Sequence, residues 1–235
     1  MKLMRWFSRR PEVDEKDAAR LYALPGPQPI GDQLLSELRF VVVDLEATGL
    51  NILKDKILSI GAVAIENNSV VIGQQLSRVL KRKIDKVTES VLIHQISPSE
   101  IAAGVRPETG LLDFLEFVDS SPILAFHADF DQGLLLREFQ DLFAFNFKHP
   151  FYDLAQLAPM LFPDHGMREI RMDDWVEFFG LNVLQRHNAF ADALATAEIM
   201  LILLKKAQSQ GIMTLKELDT SLANWRRRQT RPSSV

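Results

Sequence analysis

The chain has 235 residues, of which 47% are hydrophobic and 25% charged, and a formal net charge of −4. These are the proportions of a globular domain with one sizeable core, and the lack of cysteine excludes disulfides, zinc–thiolate sites and cysteine nucleophiles. No apolar run approaches the roughly 20 residues of a membrane span, and the start MKLMRWFSRR lacks the apolar stretch of a secretory signal, so a cytoplasmic location is expected.

The first predicted element is a helix over 12–24, EVDEKDAARLYAL, with acids early and bases late. PGPQP at 25–29 interrupts it, so 1–30 reads as a basic, helical arm and Pro-rich linker ahead of a domain over 31–211. Three β-branched segments come next, RFVVVDLEA, KILSIGAVAIE and SVVIGQQLSRVL, with Asn67-Asn68 suited to a tight turn between the last two. They predict a largely antiparallel meander. Ser97-Pro98-Ser99-Glu100 has the form of a capping box, and PETGLLDFLEFVD over 107–119 has amphipathic helical spacing. PILAFHA over 122–128 predicts a fourth strand, followed by a helix through DFDQGLLLREFQDLF. FYD at 151–153 predicts a fifth strand tip feeding a helix, and DDWVEFFG a short helix. The segment 189–211 predicts a long helix with Lys205 and Lys206 in its last turns and Gly211 as its stop. Residues 212–235 complete the chain as a helix and basic tail. Three strands followed by alternating strands and helices imply an α/β fold with a mixed sheet flanked by helices.

Charge is unevenly spread. Lys2, Arg5, Arg9 and Arg10 stand without acids at one end and Arg226, Arg227, Arg228 and Arg231 at the other, which leaves the middle at about −12. Such ends serve either solubility or contact with a phosphate backbone or partner.

The chemistry-bearing positions are acidic. In FVVVDLEATGL, Asp44 and Glu46 lie two apart on a predicted strand, hence on one side, with Cα atoms about 7 Å apart. Carboxylates that close repel unless a cation lies between them; the alternative is that the strand has ended and both face solvent. Asp131, in AFHADFDQGLLL, falls one turn into a helix, where an acid can also serve the helix dipole. In RHNAFADALATA, His187 precedes the long helix and Asp192 lies in its early turns; taken alone, both suit structural roles. Together the four acids suggest one crevice. Unpaired there they would cost several kcal/mol, whereas they are hard oxygen ligands for Mg²⁺ or Mn²⁺. Two such ions about 3.5–4 Å apart assist in-line phosphoryl displacement, with His187 left to accept a proton from water.

The order DLEATGL, FHADFDQGLL, RHNAFADALATA resembles the DnaQ-like (DEDDh) 3′–5′ exonucleases, a group that includes the proofreading epsilon subunit of bacterial DNA polymerase III. The likeness runs over about residues 39–205. His187, five before Asp192, selects the histidine branch; the sister group carries Tyr where this chain has Asn188. The resemblance implies a ribonuclease H-like mixed five-stranded sheet flanked by helices and a 3′–5′ exonuclease that uses two divalent cations, Mg²⁺ or Mn²⁺. It implies Asp44, Glu46, Asp131 and Asp192 as metal ligands and His187 as general base. It places Thr48, Gly49 and Leu50 at the terminal nucleotide, with His127 and Phe130 also at the substrate. The implied partner is a single-stranded 3′ end, DNA ahead of RNA, and a DNA polymerase subunit is a candidate partner. Trimming of RNA 3′ ends, or an accessory polymerase-binding module with little catalysis, are the alternatives. One departure is that His127 stands where the family usually has Asn. Asp129 has no assigned role beyond capping the following helix. His94 flanks the groove or is structural, His149 and His165 read as loop residues, and Trp175, Phe178 and Phe179 as core.

Overall fold

The computed structural model describes residues 11–83, 94, 96–165, 171–183 and 186–230. The basic residues Lys2, Arg5, Arg9, Arg10 and Arg231 lie outside them. Strands β1 (Phe40–Ala47), β2 (Ile57–Glu66) and β3 (Ser69–Val79) form the antiparallel meander, and Asn67 and Asn68 both take positive φ at its tight turn. Strands β4 (Ile123–Ala125) and β5 (Phe151–Asp153) add parallel to β1, giving the sheet order β3-β2-β1-β4-β5. This is an α/β fold with a mixed five-stranded sheet flanked by helices. β4 is shorter than the predicted 122–128. It pairs with β1 only through Val41 and Val42, and the chain turns into a helix once His127 adopts φ 60°.

Strand alternation divides the core in two. Phe40 and Val42 point to one face, where they meet the long helix, while Val41, Val43, Leu45 and Ala47 point to the other. The second face is covered by α3 (Pro107–Val118) and α4 (Ala128–Phe143), with Leu111, Phe114, Leu134 and Phe139 fully buried. α1 (Glu15–Ala23) docks on α3 through ion pairs: Arg20 reaches Asp113 at 2.7 Å and Glu116 at 2.8 Å, and Arg106, just before α3, reaches Asp17 at 2.7 Å. The short α2 (Pro98–Ala103) starts with the full capping box of Ser97 and Glu100.

The first face carries α5 (Leu154–Leu161), α6 (Met172–Phe178), α7 (Ala189–Ser209) and α8 (Leu215–Gln229). Trp175 is fully buried there, and Leu215, Leu218 and Leu222 insert α8 into the same cluster. Residues 33–35 pair with 213–215 through Leu35 N–H to the Met213 carbonyl at 2.8 Å and Leu215 N–H to the Gln33 carbonyl at 3.0 Å. Among the described residues, no helix is long and apolar enough to cross a membrane.

Small residues bring α7 unusually close to the sheet. Its sheet-facing positions include Ala189, Ala193 and Ala197, all buried. Opposite Asp44 in the β1–β2 register stands Gly61. A Cβ on Gly61 would lie 2.1 Å from the Ala189 carbonyl carbon and 2.3 Å from Phe190 N, so the helix start rests on bare backbone. No side chain fits there. Gly61→Ala should therefore cost about 1–3 kcal/mol through overpacking, read as a lower urea midpoint at unchanged slope. Gly73→Ala, where nothing lies within 4 Å of an added Cβ, is the matched control. Equal midpoints for the two variants would contradict this account.

Candidate active site

Asp44 and Glu46 continue the series begun by Phe40 and Val42, so both reach the α7 side of β1 at its C-terminal end. After Glu46 the β1–β2 register shifts, because Glu46 faces Ser59 and Ala47 faces Ile57. The bulge ends regular pairing right after the second acid, a common device beside functional sites. Asn188 caps α7 by accepting the Ala191 N–H at 3.1 Å, which sets Asp192 in the first turn. The descent of that turn onto Gly61 completes the arrangement. Asp44, Glu46 and Asp192 each offer an oxygen, and the three lie within 4.8 Å of one another. Hard oxygen donors at that spacing fit Mg²⁺ or Mn²⁺.

Asp131 approaches from the other side of the sheet, on α4, and is buried. It does not line the cleft. Its carboxylate accepts the backbone N–H groups of Leu45 and of Asp131 itself, and its charge is felt by Asp44. Burial pushes both acids well above the usual carboxylate range. For Asp44 the charges of Asp131, Glu46 and Asp192 add to this, and Arg186 opposes them. For Asp131, Glu46 and Asp153 add to desolvation while the two N–H groups counter it. Asp192 is also raised by burial, against the pull of Arg186 and the His187 N–H. Other buried acids behave differently: fully buried Glu138 pairs with Arg82 at 2.8 Å, and Asp17 with Arg106. Among the described residues, neither Asp44 nor Asp131 has an ion-pair partner.

The acids open into a cleft of about 420 Å³ lined by Asp44, Glu46, Asp192, Leu50, His127 and His187, with Arg171, Met172, Asp173 and Arg186 as one wall. His187 is exposed and held at φ 61°. Its N–H donates to Asp192 Oδ2 at 3.0 Å, which ties the histidine to the acidic cluster. His127, also exposed and at φ 60°, is fixed in the same manner by Asp153 Oδ1, which accepts its N–H at 2.9 Å and that of Ala155 at 2.9 Å. Left-handed backbone at a residue with a side chain carries strain, and here each strained residue is caught by a carboxylate. Asp129 is not the cap of α4. That position is His127, and Asp129 sits exposed one residue inside the helix.

The loop after β1 presents Leu50, which is 89% exposed. Thr48 Oγ1 donates to Asp55 Oδ1 at 2.9 Å and accepts the Lys56 N–H at 3.0 Å, and Asn51 N–H reaches Asp55 Oδ2 at 2.7 Å. Gly49 leaves room for the Asp55 carboxylate, since a Cβ would lie 2.6 Å from it. Thr48 and Gly49 thus shape the loop and do not line the cleft. Phe130 packs partly buried against the α3–α4 side of the core and does not line the cleft. His94 Nδ1 pairs with Glu46 Oε2. His149 lies in the loop before β5, as expected, but is buried there, donating from Nε2 to the Asp119 carbonyl at 2.7 Å. Asp55, Asp153, Asp173 and Arg186 escape sequence reasoning: each looks like an ordinary surface polar residue until its distant partner is in place.

Comparison with known proteins gives the same outline. The RNase_T family model, described as an exonuclease, matches residues 41–200. The DNA polymerase III PolC-type protein of Caldanaerobacter subterraneus subsp. tengcongensis is 31% identical over 186 residues, covering 79% of this chain and 13% of that protein. Its namesake from Bacillus subtilis is 27% identical over 198 residues, covering 81% of this chain and 13% of that protein. The chain thus spans only a small part of the length of these relatives. Among solved structures, E. coli exonuclease I in complex with a dT13 oligonucleotide aligns with a TM-score of 0.62 at 18% identity, over 74% of this chain and 42% of that one. At that identity the likeness is one of fold, the ribonuclease H-like arrangement.

The raised carboxyls set a pH dependence for the metal-free protein. The folded chain keeps protons on Asp44 and Asp131 that the unfolded chain releases near pH 4. Their contribution to stability is therefore complete below about pH 4 and is lost as pH rises through the folded-state values. Asp44→Asn should flatten that decline and raise the melting temperature at pH 7 in chelator by about 2–4 °C. Mn²⁺ should raise the wild-type melting temperature and move the variant less. Superimposable melting curves for the two proteins from pH 5 to 8 would refute the shared site.

Proposed function

Since the chain belongs to the RNase_T exonuclease family, we propose that it is a metal-dependent 3′–5′ exonuclease. It releases nucleoside monophosphates from single-stranded or frayed 3′ ends, with DNA preferred. The observation that carries this is the convergence of Asp44, Glu46 and Asp192, from two distant segments, within 4.8 Å of one another beside a cleft that also holds His187. The DNA polymerase III PolC-type names of the relatives and the oligodeoxynucleotide in the exonuclease I complex support DNA over RNA, and the same relatives make a DNA polymerase a candidate partner.

A pair of divalent cations, when bound, supplies Lewis-acid charge for the entering and departing oxygens of an in-line displacement. Asp44, Glu46 and Asp192 would hold the cations, and buried Asp131 would complete the negative field from behind. His187, exposed on the rim and fixed by its N–H to Asp192, accepts the proton of the attacking water. Leu50, carried on the loop locked by Asp55, packs against the terminal base, with His127 on the facing rim. Thr48 and Gly49 position that loop.

Oligonucleotides of matched DNA and RNA sequence, labelled at either end and incubated with Mg²⁺ or Mn²⁺, test the proposal. Shortening from the 3′ end is expected, faster on DNA. Asp44→Ala should abolish it, and His187→Ala should lower kcat by about 10²–10⁴-fold while metal binding persists. No ladder with either metal, or undiminished digestion by Asp44→Ala, would sink the assignment.

A further inference from the structure

Arg186 precedes His187 and lines the cleft, yet the proposed hydrolysis gives it no task. Its Nη1 pairs with Asp192 Oδ1, and its Nε donates to Asp173 Oδ1, in α6, at 2.7 Å. The second oxygen of Asp192 already accepts the His187 N–H. Both oxygens of that carboxylate are thus engaged, and a cation entering among Asp44, Glu46 and Asp192 meets a guanidinium already in place. The two ends of the Arg186 bridge differ: the Asp192 side chain is 7% exposed, that of Asp173 64%. The buried contact supplies charge compensation, and the exposed one acts as a tether, since a solvated pair contributes little.

We propose that Arg186 is the resident counter-cation of the acidic cluster, displaced from Asp192 by the incoming divalent ion and retained at the cleft wall by Asp173. This rests on the metal-dependent reading of the site. A guanidinium stays charged at all working pH, so metal concentration controls the exchange. The site then remains compensated when empty, and the metal concentration needed to fill it is higher than the carboxylates alone would set. Arg171, which lines the same wall and pairs with Asp174 at 3.0 Å, provides the comparison for field effects.

Mn²⁺ binding to the full-length, metal-free protein, followed by the electron paramagnetic resonance signal of free Mn²⁺ without nucleic acid, tests this. Arg186→Gln should bind Mn²⁺ about tenfold more tightly, the order expected for release of one charge-assisted contact. Arg171→Gln should stay within about twofold, because it removes the same charge from a side chain anchored on Asp174. Arg186→Lys keeps a positive charge without the two-pronged fork and should fall between wild type and Arg186→Gln. Should Arg186→Gln fail to fold, the lysine variant decides: tighter binding supports displacement, unchanged binding overturns it. Unchanged or weaker binding by Arg186→Gln, or equal tightening by Arg171→Gln, overturns it as well. Wild-type binding that Asp192→Asn abolishes but Arg186→Gln leaves alone defeats this inference and spares the metal site. No Mn²⁺ binding by the wild type defeats both.

Discussion

The molecule depends on mutual repulsion held in check by packing. Asp44, Glu46 and Asp192 are gathered at a cost in desolvation and repulsion that Arg186 only partly offsets, yet the first turn of α7 is pressed onto β2 at the one residue of that register with no side chain. An alanine-rich helix face and Gly61 permit the approach, and the apolar contacts farther along, from Ala195 to Leu204, hold it. Burial of that apolar surface outweighs the electrostatic cost of gathering the acids. The stable part of the fold thus supports an unfavourable part, which is where chemistry can be done.

The same division recurs in the backbone. His127 and His187 both sit in the left-handed region, and in both cases an aspartate accepts the strained residue's N–H. Asp153 caps α5 while it holds His127, and Asp192 belongs to the acidic cluster while it holds His187. Each carboxylate therefore couples a secondary-structure terminus to the cleft. Asp55 does comparable work for the loop bearing Leu50: its two oxygens take Thr48 and Asn51, and Arg137 from α4 donates to the Ile52 and Asp55 carbonyls. An exposed leucine can stay presented to the cleft because the backbone beneath it is fixed.

The wall opposite the sheet is built from a different part of the chain. α6 contributes Met172 and Asp173 and buries Trp175 in the core, so the position of Asp173 is set by packing and not by its own exposed side chain. That is what makes it a usable anchor for Arg186. The helices at either end are tied to this body by both polar and apolar contacts, α1 through arginine–carboxylate pairs on α3 and buried Leu21, α8 chiefly through leucines driven into the core.

The sequence by itself determined whatever is local. β-Branched apolar runs marked β1, β2 and β3, Asn67-Asn68 the turn between the last two, Ser97 and Glu100 a helix start, and the Ala- and Leu-rich run after Asn188 the long helix. The spacing of Asp44 to Glu46 and of His187 to Asp192 made the acidic cluster legible, since each pair lies within one element or at its edge, where backbone geometry alone fixes relative direction. Tertiary structure decided the rest. It shortened the fourth strand, placed Asp131 behind the cleft, turned Thr48 inward to Asp55, buried His149 and sent Phe130 to the α3–α4 side of the core. It alone brought Asp153 to His127, Ala189 onto Gly61 and Arg186 to both Asp173 and Asp192. These outcomes depend on which remote surfaces come to share a boundary, and a short-range pattern carries no record of partners that only the packed chain brings together.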